Sequence, residues 1–516
     1  MAGQAELSGP DLSSGVDAES LQPGAKILGH AKGEPVLLAR VGDEYLAIGA
    51  TCTHYGGPLA DGVIDRDTVR CPWHHACFSL RTGDAFRAPA LSPVACWNVE
   101  RHGNKVIVTD KLERDPLAPA AKRTIAGGGA SEKLSVVIVG AGAAGSAAAE
   151  MLRRSGHRGT ITIVDADDGS PYDRPNLSKD YLAGNAPEEW IPLRPGGFYA
   201  EHKIDIVRGR ATNVDTKARR VEIAGRAPLS YDALLLATGA EPIRLKVPGD
   251  DLPHVHFLRT LNDSRSIIEA AKKAKRAVVI GASFIGLEVA ASLRARNIEV
   301  HVAAPESLPL SRVLGDHLGG FIKSLHEEKG VVFHLGRTAK QVERDAVVLD
   351  DGTRVAADLV VFGVGVRPRL DLAERAGVKV DKGVIVNEYL ETSAPGVYAA
   401  GDIAKWPDPH SGQSIRVEHW VVAQRQGQAA ARNILGAGEP FTQVPFFWSA
   451  HYDVSINYVG HAETWDKVSV DGDAANRDVA VRFESGGKLL ALATLWRDEE
   501  SLKTEIAMER RPPSTT

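Results

Sequence analysis

Cysteine is scarce in this sequence: Cys52, Cys71, Cys77 and Cys96 are the only four in 516 residues. So few, all within the first hundred positions, cannot form the disulfide framework of a secreted scaffold. No Cys-x-x-Cys or Cys-x₄-Cys pair exists, which excludes a mechanism based on a reactive dithiol. An excess of charge of one sign is also missing. The net charge of −5 comes from 61 basic and 66 acidic residues, and non-specific nucleic-acid binding needs a clustered basic surface instead. The first thirty residues lack a basic segment followed by an apolar stretch, and they carry Glu6, Asp11, Asp17 and Glu19. Neither a signal peptide nor a mitochondrial presequence is expected. The longest apolar run, Leu134 to Met151, is broken by Gly140, Gly142 and Gly145 into strand, turn and helix, so it does not read as a membrane span. A cytoplasmic protein with neither a membrane nor a nucleic acid as partner is expected.

What stands out against these absences is a pair of short strings, Cys52-Thr53-His54 and Cys71-Pro72-Trp73-His74. Each joins one thiolate to one imidazole, as in a Rieske [2Fe–2S] centre, where two Cys hold one iron and two His the other. Cys52, His54, Cys71 and His74 are therefore the predicted metal ligands. A Cys₂His₂ zinc site is the alternative, but zinc fingers usually pair Cys with Cys and His with His. Neighbouring His75 reads as a solvated loop histidine, and Cys77 and Cys96 as small buried hydrophobes.

A chain of this length should divide into several domains. Residues 1–25 are polar and rich in Gly and Ser, which predicts a mobile arm. Short strand-like runs from Glu34 to Thr109 surround the two Cys/His strings and predict a small all-β domain over 26–110. Prolines, a Gly127-Gly-Gly129 run and mixed charge over 111–133 predict a linker, one that would let the first domain move between redox partners. From Leu134 the pattern alternates strand and helix, the mark of parallel α/β units. A first nucleotide-binding domain is expected over 134–255 and again over 376–440, with a second inserted at 256–375. Strand-rich residues 441–516 predict a C-terminal α+β domain.

The first nucleotide motif is a strand running into Gly140-Ala-Gly142-Ala-Ala-Gly145 and an Ala-rich helix. Such glycines allow a pyrophosphate to approach a helix N-terminus, and Asp165, ending the next strand, is placed to bind a ribose. The second motif, Gly281-Ala-Ser283-Phe-Ile-Gly286, carries Ser at its middle position. Ala304 stands about where a ribose-reading acid would be, with Glu306 close by and no adjacent Arg for a 2′-phosphate. The choice between NADH and NADPH stays open, leaning to NADH.

The order of motifs resembles the two-dinucleotide-fold flavoprotein reductases. The resemblance rests on Ala237-Thr238-Gly239-Ala, Gly363-Val-Gly365 with Arg367-Pro368, and Thr392 through Asp402. Tyr172-Asp-Arg174-Pro-Asn-Leu-Ser-Lys179 and Val417-Glu-His419-Trp420 narrow it to the apoptosis-inducing-factor and oxygenase-coupled ferredoxin-reductase branch. The N-terminal Rieske strings and Pro445-Phe-Phe-Trp448-Ser are similar to its Rieske-bearing members. The resemblance implies that Gly140, Gly142, Gly145 and Asp165 hold the adenosine diphosphate of FAD. It places Arg174, Lys179, Thr238, Gly239 and Asp402 near the rest of FAD, with His419 and Trp420 bordering the isoalloxazine. Gly281, Ser283 and Gly286 would take the pyrophosphate of NAD(P)H, Glu288 would approach the carboxamide, and Gly365 would leave room for the nicotinamide. Lys179 and Glu288 are the implied catalytic pair. Gly57, Trp73, Ala76 and Phe78 stand where high-potential Rieske proteins carry a disulfide and hydroxyls, so a low-potential cluster is implied.

The expectation is a multidomain protein with an N-terminal all-β Rieske domain, two Rossmann-like α/β domains binding FAD and NAD(P), and a C-terminal α+β domain. It would pass electrons from NAD(P)H through FAD to the [2Fe–2S] cluster and on to an external one-electron acceptor, such as a cytochrome P450 or a Rieske oxygenase. An alternative is a redox-sensing or signalling protein in which NAD(P)H binding controls assembly. Whether the chain forms a homodimer is left open.

Overall fold

The computed structural model describes residues 7–112 and 133–511. The expected linker, apart from its ends, lies outside the described residues.

Among the described residues, the N-terminal region is all β. A six-stranded antiparallel sheet runs in the order Val16–Asp17, Lys105–Leu112, Cys96–His102, Glu44–Gly49, Glu34–Val41 and Lys26–Ala31. A four-stranded sheet (Val63–Asp65, Thr68–Arg70, Cys77–Ser79 and Ala85–Arg87) completes it. Leu37, Ile48, Leu59, Val69 and Phe78 fill the core between them. Residues 7–25 differ from the expected mobile arm. Leu12, Ala18 and Leu21 are buried with Trp97, Val106 and Val108, and the Leu12 N–H donates to the His30 carbonyl at 2.8 Å. Average polarity hid these apolar anchors, which suffice to fix a short segment against a sheet. Residues 1–6 of that arm lie outside the described residues.

Two parallel sheets follow, each made of buried β-branched and Leu-rich runs, as a sheet covered on both faces requires. The first has the order Ile204–Arg208, Ile161–Asp165, Val136–Val139, Ala233–Leu236, Val397–Ala399. Its last strand arrives only after the second sheet is finished: Val255–Phe257, Leu359–Phe362, Arg276–Ile280, Glu299–Ala304 and Val331–Leu335. Each central strand feeds a helix, Ala143–Arg154 in the first sheet and Phe284–Ala295 in the second. A helix over Trp420–Ile434 packs on Ala143–Arg154 so closely that a Cβ on Gly427 would fall 2.1 Å from the Ala144 carbonyl oxygen.

The chain ends in a five-stranded antiparallel sheet (Phe446–His451, Val454–Gly460, Lys488–Leu495, Asp478–Ser485 and Lys467–Asp473) and a helix over Asp498–Glu509. Its apolar face shares a core with the second parallel sheet, where Tyr458 and Phe483 pack with Leu314 and Leu318.

Candidate functional site

The Cys/His strings form two loops closed by their own backbones. Cys52 N–H donates to the Gly57 carbonyl, and Cys71 N–H to that of Ala76, both at 2.8 Å. This brings the donors together as two pairs. The Cys52 and Cys71 thiols share a hydrogen bond, which pushes the Cys52 pKa down and that of Cys71 up. Backbone N–H groups of His54 and Tyr55 point at the first sulfur, those of Trp73 and His74 at the second. Such donors stabilise a thiolate and tune an iron–sulfur site. The Nδ1 atoms of His54 and His74 lie 3.2 Å apart. Burial lowers the His54 pKa to about 3 and holds His74 well below its ordinary range, so both rings are neutral, as ligation requires. Gly57 is needed here, since a Cβ would come 2.7 Å from the Cys71 Sγ. One pair of thiols and one pair of neutral Nδ1 atoms, each pair held together, are a donor set that fits a two-iron cluster.

His75 is not a solvated residue. It is fully buried, stacks on Phe446 with centroids 4.0 Å apart, and bonds Glu505 through Nδ1 at 3.1 Å. A surface-loop reading failed because the C-terminal helix covers that loop.

A cavity of about 980 Å³ opens beside these loops. Gly142, Arg174, Lys179, Gly239, Ser283, Glu288, Gly365, Asp402, His419 and Trp420 all line it, so positions from both parallel domains converge on one space. The other predicted glycines shape its floor. A Cβ would fall 2.3 Å from the Ala237 carbonyl at Gly140, 1.9 Å from the Gly140 carbonyl at Gly145 and 2.2 Å from the Gly281 carbonyl at Gly286. At Gly281 it would lie 2.5 Å from the Gly363 carbonyl. Ser283 replaces glycine usefully: its Oγ donates to the Gly363 carbonyl at 2.6 Å and caps the following helix by accepting from Gly286 N–H at 3.2 Å. Asp165 accepts from Ala141 N–H at 3.3 Å and pairs with Arg208 at 3.1 Å. Thr238 donates to the Arg369 carbonyl instead of facing the cavity.

Polar atoms await a ligand on the walls. The enclosed His419 Nδ1 and Arg174 Nε have no hydrogen-bond partner among the described residues. The Arg174 guanidinium lies over Gly142, 3.0 Å from where a Cβ would stand. A cation above a glycine turn at a helix N-terminus is what a flavin dinucleotide pyrophosphate needs. At the far end Lys179 Nζ donates to Glu288 Oε2 at 2.8 Å, with Glu288 almost fully buried.

The sequence reading missed the residues that join the two centres. Trp448 lines the cavity, and its ring centroid lies 4.2 Å from that of His74 and 6.1 Å from that of His54. Tyr55 stacks on His54 at 3.9 Å and donates to Asp173, the neighbour of Arg174. Arg259 pairs with Asp402 at 2.6 Å inside the cavity. Trp448 had a signal, as part of the Pro-Phe-Phe-Trp-Ser string, while Tyr55 and Arg259 stand in no recognisable motif.

Three family models match the chain: the Rieske [2Fe-2S] domain over 16–98, the pyridine nucleotide-disulphide oxidoreductase over 134–427, and the reductase C-terminal over 446–515. Apoptosis-inducing factor 3 of Homo sapiens is 33% identical over 473 residues, covering 89% of this chain and 78% of that one. Putidaredoxin reductase of Pseudomonas putida is 35% identical over 390 residues, covering 73% of this chain and 92% of that one. The ferredoxin–NAD(+) reductase component of the biphenyl dioxygenase system of Paraburkholderia xenovorans is 36% identical over 73% of this chain and 93% of its own. The crystal structure of the covalent putidaredoxin reductase–putidaredoxin complex superposes with a TM-score of 0.71 at 34% identity, covering 74% of this chain and 94% of that one.

Proposed function

Since this chain belongs to the pyridine nucleotide-disulphide oxidoreductase family, with a Rieske domain fused ahead of it and a reductase C-terminal domain behind, we propose that Cys52, His54, Cys71 and His74 hold its cluster and that the adjoining cavity holds FAD and the nicotinamide. The protein is an NAD(P)H-dependent FAD oxidoreductase of the ferredoxin-reductase type, and its acceptor carries electrons away one at a time. Bound FAD supplies the conversion of a two-electron hydride into single electrons, and the cluster a one-electron store.

The chain's own residues bind and orient. Gly140, Gly142 and Gly145 let a pyrophosphate reach the N-terminus of Ala143–Arg154, with Arg174 above it. Asp165 reads the adenosine ribose, while Gly239 and Asp402 border the remainder of the dinucleotide. Gly281, Ser283 and Gly286 take the NAD(P)H pyrophosphate, and Gly365 leaves space for the nicotinamide ring. Lys179 and Glu288 fix the reacting end, with His419 and Trp420 along the flavin edge. Holding two rings in contact is worth more to hydride transfer than an acid or base.

The observation that carries this reading is the position of Trp448, which forms part of the cavity wall and touches both imidazoles. A cytochrome P450 or a Rieske oxygenase fits as acceptor, because oxygenase-system reductases are among the relatives. None of the four cysteines forms a disulfide, which fits a reducing, cytoplasmic compartment. Among the described residues no helix is long and apolar enough to cross a membrane. A homodimer belongs to the same proposal and is tested by mass in solution.

Anaerobic titration with NADH, followed by visible absorbance and low-temperature EPR, tests the electron path. A rhombic reduced Rieske signal growing as the flavin bleaches is expected. A bleached flavin beside a cluster reducible only by dithionite would overturn the internal path. It would then favour the sensing role suggested by the likeness to apoptosis-inducing factor 3, which spans the Rieske region as well.

A further inference from the structure

Glu288 does more than hold Lys179. Its Oε2 accepts from Ser178 Oγ at 2.5 Å and Lys179 Nζ at 2.8 Å, and its Oε1 accepts from Ser449 Oγ at 2.6 Å. Ser449 Oγ lies 3.1 Å from His451 Nε2, His451 Nδ1 lies 3.3 Å from His326 Nε2, and His326 Nδ1 lies 3.2 Å from the Tyr452 hydroxyl. Ser449, His451 and His326 are all buried, whereas Tyr452 is half exposed beside the exposed Lys329 and Asp453. One continuous hydrogen-bonded file thus leads from the cavity wall to the surface through two segments distant in sequence: the strand Phe446–His451 with the turn at Tyr452 that follows it, and the helix Ser311–Glu328.

The polarity of the file is fixed by chemistry. An ionised Glu288 can only accept, so Ser449 donates to it. His451 Nε2–H then donates to Ser449, His326 Nε2–H to His451, and the Tyr452 hydroxyl to His326 Nδ1. Ser449, His451 and His326 each give one hydrogen and take one. With Glu288 protonated the file points the other way: Glu288 donates to Ser449, Ser449 to His451 Nε2, His451 Nδ1–H to His326 Nε2 and His326 Nδ1–H to the Tyr452 oxygen, whose own hydrogen faces solvent. Loss of the Glu288 proton then moves one hydrogen across each bond, releases the Tyr452 hydrogen to water and restores the ionised arrangement. Burial keeps both imidazoles uncharged, lowering His451 to about 3 and His326 well below its ordinary value, so each is free to exchange tautomers.

The reaction needs such an outlet. NAD(P)H and two oxidised one-electron acceptors yield NAD(P)⁺, two reduced acceptors and one proton, because a hydride leaves two electrons and H⁺ when the electrons depart singly. We propose that Ser449, His451, His326 and Tyr452 are a proton relay carrying that proton from the Lys179–Glu288 pair to solvent. The proposal rests on the reductase reading above. Hydride arrival needs no relay; proton departure does.

The test is stopped-flow on the holoenzyme in weak buffer, with a pH-indicator dye, NADH as donor and ferricyanide as acceptor. In His326→Gln and Tyr452→Phe, bleaching of the flavin by NADH is expected to keep its rate, while proton release during reoxidation slows at least about tenfold and gains a solvent isotope effect. Proton release as fast as in the parent in both variants would overturn the relay. Tyr452→Phe keeps the ring and its packing, so it decides the matter if His326→Gln does not fold. Parent protein whose flavin NADH does not bleach would instead overturn the reductase reading. A second readout needs no turnover: in ¹⁵N-histidine protein, coupling across the His326–His451 hydrogen bond is expected, and its absence counts against the relay.

Discussion

At the scale of single residues, the cradle and the Lys179–Glu288 pair make separable demands. Gly145→Ala would place a methyl carbon 1.9 Å from the Gly140 carbonyl oxygen, and backbone cannot yield like a flexible side chain. We expect FAD to bind at least about tenfold more weakly, or about 1.4 kcal/mol, read as the flavin content of the purified protein. Glu288→Gln keeps the shape but removes the charge that holds Lys179. Flavin reduction by NADH should slow by about 10²-fold, the effect of a reacting group misplaced by about 1 Å, measured by stopped-flow absorbance. Trp448→Leu should slow growth of the reduced-cluster EPR signal relative to flavin bleaching in rapid-freeze samples. Equal timing of the two signals in variant and parent would mean the indole is packing only. The glycines and Cys/His strings were legible because each type is needed within a few positions of the next. Tyr55, Arg259 and the histidines at 326 and 451 were not, since each finds its role only when distant segments meet.

At the scale of elements, the helix Asp498–Glu509 shows why pattern reading stops short. Its sequence is half charged, yet Glu505 is fully buried. Glu505 accepts from Arg70 and Arg425, each at 2.7 Å, and from His75, while neighbouring Glu509 accepts from Arg70 and Arg87. These partners come from positions 70, 75, 87 and 425, so nothing local marks which acid goes inside. Burial alone would raise the Glu505 pKa, but Arg425, His75 and Arg87 hold it well below 4.5. A lowered value means the carboxylate contributes its full stability above about 4.5 and loses it as pH falls through the folded value. Undocking of the Rieske domain is therefore expected as pH falls from about 4.5 towards that lower folded value, followed by small-angle scattering. Glu505→Gln leaves buried arginines without their counter-charge and should cost about 3–5 kcal/mol, seen as a lower unfolding midpoint in urea.

At the scale of the whole molecule, the Rieske domain sits against both neighbours. Arg194 of the flavin domain donates to the Leu91 carbonyl at 2.8 Å, and the Gln428 side chain accepts from Ala88 N–H at 3.1 Å. The layered architecture was readable from the sequence because strand and helix periods switch at Leu134, but docking was not, because it is written in side chains from three domains. With the domain held this way, the expected shuttling through residues 111–133 has a direct test. Locking that segment should leave flavin-to-cluster transfer unchanged, as rapid-freeze EPR would record. Glu505 also sets an order of events in synthesis. The helix that carries it is translated after every other described element, when the Cys/His loops and both nucleotide folds can already have formed. Until that helix closes over His75, a growing chain can acquire its redox groups but lacks the clamp that presses them together, so the pathway for current is completed late and a truncated product stays electrically open.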